Sequence, residues 1–187
     1  MCKICELKPV YEFTNKRKLC KSCFIKYFQK KVLYIIRKFS MIKSGDVIGY
    51  ETGKDFRSVV LKDVMEMFAE KSPIQLVKLP SKKKNLKIAI NSNIDLEAEK
   101  IINALIYEKS SKLKEFFPVV KKGNKIIIKP LYLFLDKEIL LYAKLKNLKF
   151  IKIKDNKSKL VKFINDLEQN HPEVKRAVVN SYLKLMR

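Results

Sequence analysis

Apolar residues recur at three- and four-residue spacing from Phe24 to Phe39: Phe24, Tyr27, Phe28, Val32, Ile35, Ile36 and Phe39. That period predicts an amphipathic helix. Lys26, Lys30, Lys31, Arg37 and Lys38 fill its other face, as a solvated surface or as a track for backbone phosphates. Downstream the pattern shortens to apolar runs. Asp46–Tyr50, Ile74–Leu79 and Leu86–Ile90 read as strands, and Val59–Phe68 and Asp95–Tyr107 as helices between and after them. The second helix has a possible extension to Phe116, and Pro80–Lys84 makes a basic turn. Gly123-Asn124 closes a hairpin between Pro118–Lys121 and Lys125–Lys129. A helix with Asp136 as its N-cap runs to Leu145, Phe150–Lys154 reads as a short strand, and helices follow at Ser158–Gln169 and Pro172–Met186.

Strands alternating with helices on short links predict an α/β fold with a parallel sheet, whose ligands bind beyond the carboxyl ends of the strands. The loops at Glu51–Phe56 and Asn91–Asp95 would meet there. The first of them, at the end of the stretch Asp46–Phe56, has the layout of a phosphate-cradling turn before a helix N-terminus. Gly53 allows close approach to an oxygen and Lys54 could balance charge, while Glu51 and Phe56 occupy places suited to small hydrogen-bonding residues.

Charge adds a partner to this picture. Lys+Arg 42 against Asp+Glu 19 gives a formal net charge of +23 and a pI near 9.8. Such an excess self-repels and points to a polyanion, in the first place nucleic acid. A lysine-rich thermophile surface is the alternative, but Glu would then keep pace with Lys. An anionic membrane surface fits less well, because no helix is both basic and strongly amphipathic. No apolar run spans a bilayer and no signal peptide opens the chain, so a soluble, cytoplasmic protein is expected.

All four cysteines lie in the first 23 residues. Cys2-Lys3-Ile4-Cys5 and Cys20-Lys21-Ser22-Cys23 are two C-x-x-C knuckles. Together they supply four thiolates to one centre, the closed tetrahedral shell of structural zinc. The organisation expected is a zinc finger over residues 1–24, a connecting basic helix over 25–43 and a reduced α/β domain over 44–187.

The knuckles, the aromatic-basic helix, the Gly53-Lys54-Asp55 turn, Asn93-Ile94-Asp95, Lys129-Pro130-Leu131 and Asp136-Lys137-Glu138 with Tyr142-Ala143 occur in a telling order. That order resembles the archaeal and eukaryotic tRNA 2-thiouridine synthetases, of the N-type ATP pyrophosphatase (PP-loop) class. The resemblance implies a zinc finger joined to an adenylating α/β domain, tRNA as partner, and a nucleotide site at Gly53, Lys54, Asp55 and Asp95. A tendency to dimerise, an active thiolation homologue and a ubiquitin-like sulfur carrier are implied as further partners.

Departures from the family pattern shift the expectation away from catalysis. The family loop reads Ser-Gly-Gly-Lys-Asp-Ser, whereas Glu51 and Phe56 replace its two serines. A carboxylate at ~4 Å from a phosphate costs on the order of 4 kcal/mol at an effective dielectric near 20. One acid of the Asn-Leu-Asp-Asp turn is lost, and Asp95 is expected to cap its own helix rather than bind Mg2+. The family uses cysteines in the catalytic domain to carry sulfur or hold an iron–sulfur cluster. None follows Cys23, so no cluster is expected, and ATP and Mg2+ are in doubt. The resulting expectation is a tRNA-binding, catalytically inactive paralogue of the thiolation enzymes, with no confident catalytic residue. Its rivals are a working ATP-dependent sulfurtransferase using a partner's sulfur, and a protein–protein adaptor. His171, the single histidine, precedes Pro172 and reads as structural.

Overall fold

The computed structural model describes residues 1–83, 86–107, 110–152 and 158–186. Lys84 of the basic turn, residues 108–109 of the helix extension, and residues 153–154 of the last short strand lie outside them.

Between the knuckles, β1 (Tyr11–Glu12) and β2 (Lys18–Leu19) pair antiparallel. The second knuckle runs straight into α1 (Lys21–Lys38), whose first turn already includes Cys23. The helix therefore starts at Lys21, ahead of the expected Phe24, because the Phe24 N–H bonds the Cys20 carbonyl at 2.8 Å. Its stripe of Phe24, Phe28, Val32, Ile35 and Ile36 is buried as the periodicity predicts.

The central sheet holds β3 (Val47–Tyr50), β4 (Gln75–Lys78), β5 (Lys87–Ala89), β6 (Val119–Lys122) and β7 (Lys125–Ile128), in the order β4-β3-β5-β7-β6. Four strands are parallel; β6 is an antiparallel edge, delivered by a tight turn in which Gly123 takes φ 59°. The helices are α2 (Phe56–Ala69), α3 (Ile94–Ile106), α4 (Asp136–Leu145), α5 (Lys159–Asn170) and α6 (Val174–Leu185), with a 3-10 turn over Ser110–Phe116.

From β3 the chain crosses through α2 to β4 on one side, and β5 then pairs on the other side of β3. Right-handed crossovers in opposite directions put α2 and α3 on opposite faces. One layer joins α1, α2 and α4; the other joins α3, α5 and α6. In the first layer Phe28 stacks on Phe134 and Tyr142 at centroid distances of 4.0 and 4.1 Å. The Tyr142 hydroxyl donates to Asp63 at 2.8 Å, tying α4 to α2. In the second layer a buried ion pair, Lys129 to Glu97 at 3.0 Å, anchors the turn after β7 to α3. Burial lowers the Lys129 pKa even though Glu97 acts to raise it.

One hydrophobic cluster runs from Cys2 and Leu19 through the sheet residues Ile48, Ala89 and Ile128 to Leu183. The reversal of direction leaves a crevice at the carboxyl ends of β3 and β5, the usual ligand position in such sheets.

Candidate functional site

The expected meeting of the two loops takes place. Asn91, after β5, donates through Nδ2 to Ser58 Oγ at 2.8 Å, at the start of α2. Helix α2 begins at Phe56, earlier than its apolar pattern suggests, because Asp55 is its N-cap. One Asp55 oxygen accepts the N–H groups of Arg57 and Ser58 at 3.0 and 3.1 Å; the other accepts the Ser58 hydroxyl at 2.5 Å. Two of the amides that a helix N-terminus would offer to a phosphate are thus satisfied by the chain's own carboxylate.

Gly53 is required by space rather than by dihedral angle. A Cβ there would lie 2.3 Å from Ser58 Oγ and 2.6 Å from Ser58 Cβ. Opposite, Ile151 donates its N–H to the Lys54 carbonyl at 2.7 Å and forms a parallel bridge with Asp55. Around this loop is a cavity of about 440 Å³, lined by Glu51, Gly53, Lys54, Lys62, Lys149 and Phe150 among others. Lys62 and Lys149 were not foreseen, since neither stands near a recognisable motif.

Asp95 does not cap its own helix. Asn93 does so, its side chain accepting the Leu96 N–H. Asp95 instead accepts the backbone N–H of Asp136 at 2.7 Å and the Lys175 ammonium at 2.8 Å. Nor is Asp136 the N-cap of α4. Leu135 holds that position, and Glu138 accepts its N–H at 2.8 Å. Asp136 makes a two-pronged pair with Arg57 and accepts Asn93 Nδ2 at 2.8 Å. Both departures have one cause. The starts of α2, α3 and α4 converge here, so carboxylates find donors on neighbouring helices before those on their own.

Lys175, buried near this point, also pairs with Glu168 at 2.6 Å and Asn165 at 3.0 Å. Burial lowers its pKa, but Asp95 and Glu168 outweigh that and hold it above the ordinary lysine value. Arg57 and Lys175 were likewise missed, and with them the partners of Asp136 and Asp95, because these contacts join residues about 80 positions apart. With Asp95 engaged on both oxygens, the arrangement is an ion-paired clasp between helices.

The four cysteines converge. The thiol sulfurs of Cys2, Cys5, Cys20 and Cys23 all lie within 4.8 Å of one another. Cys5–Cys20 and Cys5–Cys23 are 3.3 and 3.6 Å apart, near the ~3.8 Å edge of a tetrahedron with 2.3 Å metal–sulfur bonds. Cys2, Cys20 and Cys23 are buried and Cys5 is exposed. All four ligand atoms belong to thiols, a soft donor set suited to zinc or to iron–sulfur chemistry.

On α1, Lys26, Lys30, Arg37 and Lys38 are exposed, as is Tyr34. Lys31 departs from that group. It turns inward to Glu138 at 3.6 Å and over the Phe134 ring at 4.4 Å from its centroid. Its neighbours at α4 draw it in, because Glu138 is completely buried and needs cations. Arg176 supplies the second, at 2.9 Å. His171 sits at the C-terminal end of α5, its N–H bonded to the Leu167 carbonyl. Among the described residues no helix is long and apolar enough to cross a membrane.

No protein-family model matches the chain, and no curated protein matches it in sequence. Its structure is similar to the U34-tRNA thiolase NcsA from Methanococcus maripaludis, with a TM-score of 0.77 at 18% identity. The match covers 98% of this chain and 86% of the thiolase. That thiolase is described with its [4Fe-4S] cluster, which overturns the expectation that iron–sulfur chemistry is foreclosed. The α/β body has no thiol after Cys23, but the four N-terminal thiols are themselves a donor set able to hold a cluster. What the likeness establishes is the fold: a mixed α/β body like that of the tRNA thiolase, behind a four-cysteine group able to bind metal.

Proposed function

We propose that this chain binds tRNA and acts in tRNA sulfur modification as a positioning scaffold rather than as the adenylating catalyst. The thiolase-like frame, extending over nearly the whole chain, supports the pathway. The charge of +23, with Lys26, Lys30, Arg37 and Lys38 exposed on one helix, supports RNA as the partner.

The single observation that carries the scaffold reading is the hydrogen bonding of Asp55, which consumes the Arg57 and Ser58 amides in the first turn of α2. A polyphosphate would have to displace an internal carboxylate and approach Glu51. The α/β body also offers no thiol to carry sulfur, since the sequence has no cysteine after Cys23. Cys2, Cys5, Cys20 and Cys23 would hold a thiophilic metal centre, whose contribution is to cross-link the two knuckles and fix them against α1. Adenylation then falls to a partner, and an active homologue served by a ubiquitin-like sulfur carrier suits the role.

The reading is tested by titrating the metal-loaded protein with bulk tRNA over a range of salt. Affinity is expected to fall steeply, with log K linear in log salt. No affinity at low salt, or affinity indifferent to salt, would overturn it. The cavity beside Gly53, with Lys54, Lys62 and Lys149 around it, favours a second reading in which a nucleotide still binds. Calorimetry with ATP and Mg2+ decides between them.

A further inference from the structure

Away from the crevice, at the seam between the knuckle hairpin and the helical layers, lies a cavity of about 240 Å³. Tyr11 and Phe13 reach it from the hairpin, Tyr27 from α1, Leu135 and Lys137 from the start of α4, and Glu173 and Arg176 from α6. Three aromatic rings from two separate elements therefore share one small space. Tyr11 and Phe13 meet edge to face at 4.8 Å, and Phe13 and Tyr27 at 5.0 Å. All three are only half-buried. Arg17, outside the lining, packs its guanidinium 4.4 Å from the Phe13 centroid and 5.0 Å from that of Tyr27, holding the rings in place.

The charged side chains that line this space, Glu12, Lys137, Glu173 and Arg176, balance, and Arg17 adds one positive charge against the rings. Glu12 pairs with Lys18 at 3.2 Å, Glu173 with Arg176 at 3.6 Å, and Lys137 with Glu168 at 3.7 Å. In a protein of net charge +23 this aromatic-walled lining carries no excess of cations. It is unsuited to phosphate, which the exposed lysines of α1 would hold. It is also smaller than the ~300–1,000 Å³ of sites that enclose whole ligands, so it suits one planar ring. Asn15 and the two glutamates at its rim offer acceptors for base N–H groups, and Arg176 offers donors.

We propose that this seam pocket receives one unpaired nucleobase of an RNA whose backbone is held by the exposed lysines of α1. Proteins that read single-stranded RNA stack splayed bases on aromatic rings in this way. Because the pocket is built from the knuckle hairpin and from α1, α4 and α6 together, a base seated there senses whether the metal-held module is docked. The proposal rests on the RNA-binding reading above and adds to it a place and a chemical class.

The test uses the full, metal-loaded chain and a single-stranded oligoribonucleotide carrying one 2-aminopurine, whose fluorescence is quenched on stacking. Phe13→Leu keeps an apolar side chain and removes the ring; Phe13→Tyr keeps the ring and checks that folding is intact. Phe13→Leu is expected to weaken binding about ten-fold and abolish the quench, while the salt slope stays unchanged because stacking releases no counterions. Phe13→Tyr should behave as the native protein does. If Phe13→Leu binds and quenches like the native chain while bulk tRNA still binds with a steep salt slope, the pocket is overturned and the RNA reading stands. If the native chain binds no RNA at low salt, both fail.

Discussion

The side chain of Asp95 accepts a 2.7 Å hydrogen bond from the backbone N–H of Asp136, so an acid in the first turn of α3 satisfies the first amide of α4. Its other oxygen holds Lys175 on α6 at 2.8 Å. Three helices are thereby fixed to one carboxylate at the carboxyl end of the sheet. Asp95→Ala leaves the Asp136 amide without this acceptor and half-strips a buried ammonium, and is expected to cost about 2–4 kcal/mol. Asp95→Asn keeps an acceptor and should cost about half as much. Urea unfolding of the two variants checks the ranking.

Lys31 makes stability depend on pH in an unusual direction. Burial pushes its pKa down to about 8, with Glu138 opposing and Arg176 and Arg17 reinforcing. An unfolded lysine titrates near ~10.4. Between about 8 and ~10.4 the unfolded chain therefore binds more protons than the folded one, and stability rises with pH through that window, by at most ~1.4 kcal/mol per unit. Lys129, also lowered by burial, acts in the same sense. Above pH ~10 the trend reverses. Burial raises Tyr27 to about 12, so tyrosines ionise first in the unfolded chain. Lys31→Met leaves Glu138 paired with Arg176 and should flatten the rise, as seen by chemical unfolding at pH 7.5, 8.5 and 9.5.

Removal of a metal held by the four thiols should loosen one end of the molecule rather than all of it. Three of the four cysteines are buried next to Leu19 and Phe24, yet α1 is also held by Phe28 stacking on Phe134 and Tyr142. Chelation under reducing conditions is expected to lower the melting temperature by several degrees and unprotect amides of the Tyr11–Leu19 hairpin, with helical circular dichroism largely kept. Cys5→Ser and Cys23→Ser should each abolish loading, since both belong to one four-thiol group. Metal and acid-labile sulfide assays on anaerobically purified protein identify the species: metal without sulfide is a single ion, iron with sulfide a cluster.

Local patterns reveal a good deal of this architecture. The 3.6-residue period of Phe24–Phe39, the strand patterns at Asp46–Tyr50 and Ile74–Leu79, and Gly123 at the hairpin turn are properties of neighbouring residues, and each element stands close to its expected place. The cysteine spacing likewise encodes convergence. Helix capping proved less legible. Asp95 and Asp136 look like caps from their own helices, but the start of a third helix brings Arg57 to one and α6 brings Lys175 to the other. Lys31 carries no local sign of burial, because its partner Glu138 lies more than a hundred residues away. The seam pocket was hidden for the same reason. Tyr27 fits a helical core stripe equally well, and only the fold sets Phe13 and Arg176 beside it.

The loop after β3 yields the sharpest prediction about chemistry. Asp55 at its end binds the Arg57 and Ser58 amides of α2, and its glycine is pressed against Ser58, which is itself bonded to Asn91 and Asp55. Gly53→Ala must push Ser58 off both partners and is expected to cost about 1–3 kcal/mol, a packing penalty measurable by thermal unfolding. Nucleotide binding should be absent in the native loop: calorimetry with ATP and Mg2+ is expected to give no heat above dilution. Glu51 is exposed and can be changed without disturbing the core. Glu51→Ser removes the nearby carboxylate while keeping Lys54, Lys62 and Lys149, and should allow weak, millimolar binding that Lys54→Ala in the same background abolishes. Micromolar binding by the native chain, lost in Lys54→Ala, would instead mean that the polyphosphate displaces Asp55 from the α2 amides. The scaffold reading would then give way to an ATP-dependent enzyme.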